Sequence, residues 1–114
     1  MSYDVYVGPK RSLGEPFQAS PTYNVAQMFR AALDGAAAAL GKEPIDGLYG
    51  LDGMTGAEAL PWLEAALAWF HEHHAEMVTL NPPNGWGDTG TVSRTLAGMA
   101  KAAFSDPTFI VCIS

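Results

Sequence analysis

Runs suited to β-strands stand at the two ends of this chain, and what lies between them suits helices. Near the start, "SYDVYV" alternates Tyr3, Val5 and Val7 against Ser2, Asp4 and Tyr6, the period of a strand with one buried face. At the end, "TFIVCI" is rich in β-branched residues, which suit strands. Strand backbone groups need partners, so two strands set apart by helices predict that the first and last pair with each other. The expected fold class is α+β: three main helices with paired N- and C-terminal β-strands, in one compact domain over residues 1–114. Two strands alone are marginal. The helices must therefore cover one face, or further strands must come from the early loop or from a second copy. A homodimer through a strand edge stays open on this ground. That early loop, "GPKRSLGEPFQASP", carries three prolines and two glycines, with room for a short extended piece from Phe17 to Ala19.

The helical stretches show their ends. Asn24 with Gln27 has the spacing of a capping box, and Val25, Met28, Phe29, Ala32, Leu33 and Ala36 then share one face. The segment runs to Leu40 as one helix or breaks at Asp34-Gly35, and Gly41 is its stop. "KEPIDGLYGLDGM" reads as a loop pinned to the core by Ile45, Leu48, Leu51 and Met54. Thr55 and Glu58 form a second capping box. Pro61 then either kinks the helix or opens a new one. From Trp62 to Met77 one side carries Trp62, Leu63, Ala66, Leu67, Trp69, Phe70, His73, His74 and Met77, the pattern of the central helix. Asp88, Thr89 or Thr91 caps the last helix, whose apolar line is Val92, Leu96, Met99 and Ala103, with Arg94 and Lys101 opposite. Asp106-Pro107 ends it.

Composition narrows the partners. The net charge is −6, with six basic residues against twelve acidic, and the basic ones are scattered. Nucleic acid and anionic membranes both require Lys and Arg clusters, so neither is an expected partner. No apolar run has the length of a membrane span. "MSYDVYVGPK" lacks the basic start and long apolar run of a signal peptide. The expected compartment is a reducing cytoplasm, that of the host if the gene is viral. A lone cysteine, Cys112, excludes an internal disulfide, and its β-branched setting predicts a buried, inert thiol.

Few residues carry a recognisable chemistry. "HEHH", His71 to His74, lacks the His-Glu-x-x-His zinc spacing, so no metal site is expected, His71 and His74 being the weak candidates. No phosphate loop, dinucleotide fingerprint or Gly-x-Ser-x-Gly elbow is present, and no cofactor or catalytic residue is assigned. The stretch that stands apart is "NPPNGWGD", Asn81 to Asp88. Its prolines stiffen the entry, Asn84-Gly85 signals a turn, and Asp88 is placed to cap the helix that follows.

On that loop, together with "TYNVAQMF", "LDGMTGAEALPWLEAAL" and "DPTFIVCIS", the chain resembles a group of small, uncharacterised proteins of actinobacteria and actinobacteriophages sharing an N-P-x-N-G-W-G-D loop. The likeness runs from about Thr22 onward. The group's loop is often followed by an aromatic residue, whereas Thr89 stands here. The resemblance brings no activity with it. It implies a phage-encoded protein acting on a host factor or a host signalling molecule.

The expected function is therefore that of a small acidic binding protein, which holds a host protein or sequesters a small-molecule ligand such as a signalling nucleotide. The alternatives are a small enzyme using carboxylates and histidines, and a virion assembly component. The expected site has two walls. Asn81, Asn84, Trp86 and Asp88 form one, and Tyr23, Asn24 and Met28 the other, a mixture of amide, carboxylate and apolar groups.

Overall fold

The terminal strands do pair. The computed structural model describes residues 2–9, 16–83, 85 and 87–114. Strand β1 (Val5–Gly8) lies between β2 (Phe17–Ala19) and β3 (Ile110–Ile113), and both neighbours run antiparallel to it. Val5 faces Ala19 on one side and Ile113 on the other, and Tyr6 likewise faces Gln18 and Cys112. The third strand thus comes from the early loop itself. Asp4 and Ser114 exchange two backbone hydrogen bonds of 2.9 Å and extend the β1–β3 ladder.

Alternation decides which side of the sheet meets the helices. Val5, Val7, Val111 and Ile113 turn inward and are buried, while Tyr6, Gln18 and Cys112 share the opposite face. Cys112 is exposed, contrary to the buried thiol expected of it. The run "FIVCI" is apolar throughout, but the helices cover only one face of this sheet, so every second residue faces away from them.

Helix α1 (Ala26–Leu40) is continuous through Gly35. The Asn24–Gln27 box does not form. Instead Thr22 caps a 3-10 turn, Tyr23–Val25, by accepting the Asn24 N–H at 3.3 Å, and α1 starts after that turn. Gly35 lies against the indole of Trp69, where a methyl group would overlap the ring, so its small size sets how closely α1 approaches α2 (Gly56–Glu72). The Thr55–Glu58 capping box forms in both directions, with bonds of 3.2 and 3.1 Å. Pro61 lies inside α2 rather than opening a new helix. Between α1 and α2, a 3-10 turn at Gly47–Leu51 buries Leu48 and Leu51.

The central helix is shorter than its periodicity predicts. Its regular part ends at Glu72, and His73 adopts φ −106° and ψ 20° before a five-residue helix, α3 (His74–Val78). The His73 ring stacks on Trp69, with centroids 4.0 Å apart, and its Nδ1 lies 2.8 Å from the Trp69 carbonyl. A side chain bonded to the backbone in this way competes with continuation of the helix. The change of axis returns Met77 to the core and leaves His74 exposed.

Helix α4 (Thr89–Ser105) completes the layer. Leu63 and Phe70 of α2, Leu96 and Met99 of α4 and Phe29 of α1 belong to one buried cluster, and Leu67 is half-buried at its border. No helix among the described residues is long and apolar enough to cross a membrane.

Candidate functional site

The described part of the Asn81–Asp88 loop works first as a helix start. The Asp88 carboxylate accepts the Thr91 N–H at 3.0 Å, and the Thr91 hydroxyl accepts the Asp88 N–H at 3.3 Å, a reciprocal cap. The Asn81 side-chain oxygen accepts the Thr89 N–H at 3.1 Å, a further donor of the same helix end. Asn84 and Trp86, two expected site residues, lie outside the described residues.

The loop approaches the turn that carries Tyr23 and Asn24 through Gly87, not through any residue expected in the site. Gly87, at φ 85°, packs against Thr22 and Val25, and a side chain there would strike the Thr22 methyl. The remaining expected residues are placed differently from one another. Asn24 is exposed, and Tyr23 is half-buried. Met28 is fully buried, so it offers no face to a ligand. It belongs to the same apolar stripe as Phe29 and Ala32, and that stripe is used up by the core.

Beside this junction lies an aromatic cluster that the sequence did not announce. Tyr3 meets Tyr23 edge to face at 4.6 Å, and the Tyr23 and Tyr49 hydroxyls are 2.8 Å apart. The hydrogen bond to Tyr23 is the chief reason that the Tyr49 hydroxyl is pushed up to about 12. Burial, and then the neighbouring Tyr23, raise Tyr3 as well. Tyr49 therefore stays protonated at neutral pH and serves as a hydrogen-bonding group rather than a base.

The histidines do not converge on a metal. His71 Nε2 lies 3.3 Å from the Ser93 hydroxyl, His73 is occupied by Trp69, and His74 is exposed. The His71–Ser93 pair has the elements of a nucleophile and its base. Among the described residues no carboxylate hydrogen-bonds the imidazole to orient it, as such a pair requires.

The unspent chemistry lies on α4. Of the described cations, Arg30 pairs with Asp46 at 2.7 Å and Lys42 lies 5.9 Å over the Trp62 ring. Arg94 and Lys101 are exposed and have no carboxylate within 4.0 Å among the described residues. Residues 89–105 contain no Asp or Glu, although the chain carries twelve. On the same outward side Phe104 is 77% exposed. It borders a shallow hollow of about 340 Å³ with Leu60, Ala100, Lys101 and Glu64, so one carboxylate stands on the rim of this face.

Between α4 and β2 lie two more hollows, one on each side of the Phe17 ring. The first, of about 240 Å³, is bounded by Ala19 and Arg94, and the second, of about 300 Å³, by Pro16 and Lys101. Among the described residues no Asp or Glu lines either of them. Gly98 is what seats Phe17, since a methyl group at that position would overlap its ring. None of Phe17, Gln18, Arg94, Lys101 or Phe104 stood among the expected site residues. Two signals in the sequence pointed to Arg94, Lys101 and Phe104, an acid-free helix in an acidic chain and an aromatic residue off that helix's apolar line, and none pointed to Phe17 or Gln18. Comparison of the chain with protein-family models, with curated proteins and with solved structures finds no match.

Proposed function

We propose that this protein is a binding module that docks an acidic partner protein on the outward face of α4. The observation that carries this reading is the combination, on one helix, of exposed aromatic surface and two cations with no salt bridge among the described residues. Among the described residues Arg94 and Lys101 have no carboxylate within 4.0 Å, and Phe104 on the same helix is 77% exposed, in a chain of net charge −6. Aromatic and cationic side chains on a common face are the residue types that dominate protein contacts. Complementary charge raises the rate at which such a face finds its partner. A small-molecule site at the Asn81–Asp88 loop has less support, because Asn81 and Asp88 are both engaged by the start of α4. A host-directed role rests on the resemblance alone.

The test is cross-linking through Lys101 in the source cell, followed by mass spectrometry, with the wild type, Phe104→Asp and Lys101→Glu compared. One acidic partner should be captured by the wild type and lost from Phe104→Asp. The Asn81→Ala variant should capture it as well as the wild type does. Capture that survives Phe104→Asp and fails with Asn81→Ala would move the site to the loop.

A further inference from the structure

Among the described residues the sheet has one open edge, and the ladder shows which backbone groups it presents. On the β3 side, Val111 donates its N–H to the Met54 carbonyl and accepts the Gly53 N–H, both at 2.8 Å, and Ile113 donates to the Asp52 carboxylate at 2.8 Å. That edge is therefore covered. Because Val111 and Ile113 turn away from β1, the alternation of an antiparallel ladder turns Cys112 toward Tyr6. Val5 and Val7 then turn toward Ala19 and Phe17, and the Tyr3 N–H bonded to the Pro21 carbonyl at 2.9 Å continues the same alternation. Gln18, between Phe17 and Ala19, directs its N–H and C=O outward. Among the described residues no strand pairs with that side of β2.

We infer that the open edge of β2 takes an extended acidic segment as an added strand, with its carboxylates reaching Arg94 and Lys101 across the groove beside α4. The inference rests on the docking reading above and names the form of the partner. A strand laid along Gln18 lies over the two hollows that flank Phe17, so side chains on one of its faces enter them. Main-chain bonds to the edge supply affinity, and pockets for alternate side chains supply selectivity. Arg94 and Lys101 are seven positions apart on α4, about 10 Å along the axis. Alternate residues of a strand are about 7 Å apart, and two long cationic side chains span the difference. The edge is short, Phe17–Ala19, and follows Pro16, features that guard against indiscriminate pairing. Here the cations stand on the helix across the groove, where they select for charge and leave the edge itself clear.

The full chain, isotope-labelled on nitrogen, is titrated to a few millimolar with an eight-residue peptide of alternating valine and glutamate. The controls are its valine–lysine counterpart and the acidic peptide N-methylated on alternate amides. The Gln18 amide should shift and saturate together with the Arg94 side chain. The lysine peptide should leave both unmoved, and N-methylation should weaken binding about tenfold or more. The Arg94→Gln, Lys101→Gln double variant, altered only at exposed positions, should weaken it about tenfold as well.

An unmoved Gln18 amide overturns the inference, as does an equal response to the lysine or the N-methylated peptide. A Gln18 shift that follows protein concentration without peptide also overturns it, and gives the edge to a second copy of the chain. If the acidic peptide moves Leu60, Ala100 and Phe104 but not Gln18, docking on α4 stands and strand addition falls. If the cellular partner cross-links away from α4 while the peptide still moves Gln18, the edge binds and the proposed docking face is wrong.

Discussion

The loop at residues 81–88 and the outward face of α4 adjoin in the chain, yet their polar groups are used in opposite ways. In the loop, Asn81 and Asp88 spend their oxygens on the first amides of α4. Further along the same helix, Arg94 and Lys101 spend nothing within the molecule among the described residues. The loop is conspicuous in sequence because a helix must be started there, and a start needs turn residues and acceptors. The α4 face is inconspicuous because its residues meet no internal requirement. A surface held ready for a partner is better marked by groups with no internal task than by unusual composition.

That contrast can be broken in several ways. Both regions stand on the core beneath α2 and α4, so Phe70→Ala should cost about 3–5 kcal/mol in urea unfolding. A cost below about 1 kcal/mol would show that there is no common support. Next in size is Gly98→Ala, which forces the Phe17 ring from its seat and should cost about 1–3 kcal/mol by overpacking. A neutral result would mean that β2 is not held against α4. Asp88→Ala should cost about 1 kcal/mol, the usual worth of a helix cap, while leaving peptide binding at β2 unchanged. Should it weaken binding without loss of stability, the roles of the two regions would be reversed. Phe104→Ser should change stability by no more than about 0.5 kcal/mol in either direction, as expected of a side chain 77% exposed.

The smallest effect is set by pH. Hydrogen bonds from the Thr55 backbone and hydroxyl hold the Glu58 carboxyl below its ordinary value of 4.5. A depressed carboxyl contributes stability that is present above 4.5 and is lost as pH falls through the lower folded value. Glu58→Gln should flatten the acid limb of a thermal-stability profile below that pH. An unchanged limb would show that the box contributes little in solution.

Much of the fold was legible because local chemistry and tertiary need coincide. The Thr55–Glu58 box, the Asp88 cap, the apolar line of α4 and the pairing of the terminal strands all follow from residue type and period. What was hidden depends on partners distant in sequence. The stop at His73 is the local exception: its ring stacks on Trp69 and bonds the Trp69 carbonyl one turn back, and a helical wheel has no place for a change of axis. Cys112 is exposed because only one face of the sheet has helices over it. In the candidate site, the loop approaches the Thr22–Val25 turn through Gly87, a residue not expected there, whereas Met28 is withdrawn from contact because burial of a stripe takes every member. The groove beside β2 was not legible at all, since its walls lie at opposite ends of the chain.

Placing β1 between β2 and β3 also governs the order in which the molecule can be made. On a ribosome, β1 and β2 are available early, and α1 and α2 can gather around Phe29 and Phe70. The slot beside Tyr6 stays empty until residues 110–113 have cleared the exit tunnel. Closing the loop between Gly8 and Ile110 adds only logarithmically to the entropic cost, so the folded domain loses little stability by this arrangement. The delay is the larger effect, because contacts between distant segments slow folding. Until then β1 has hydrogen-bonding groups on two sides and only β2 to pair with, which makes the nascent chain more adhesive than the folded one.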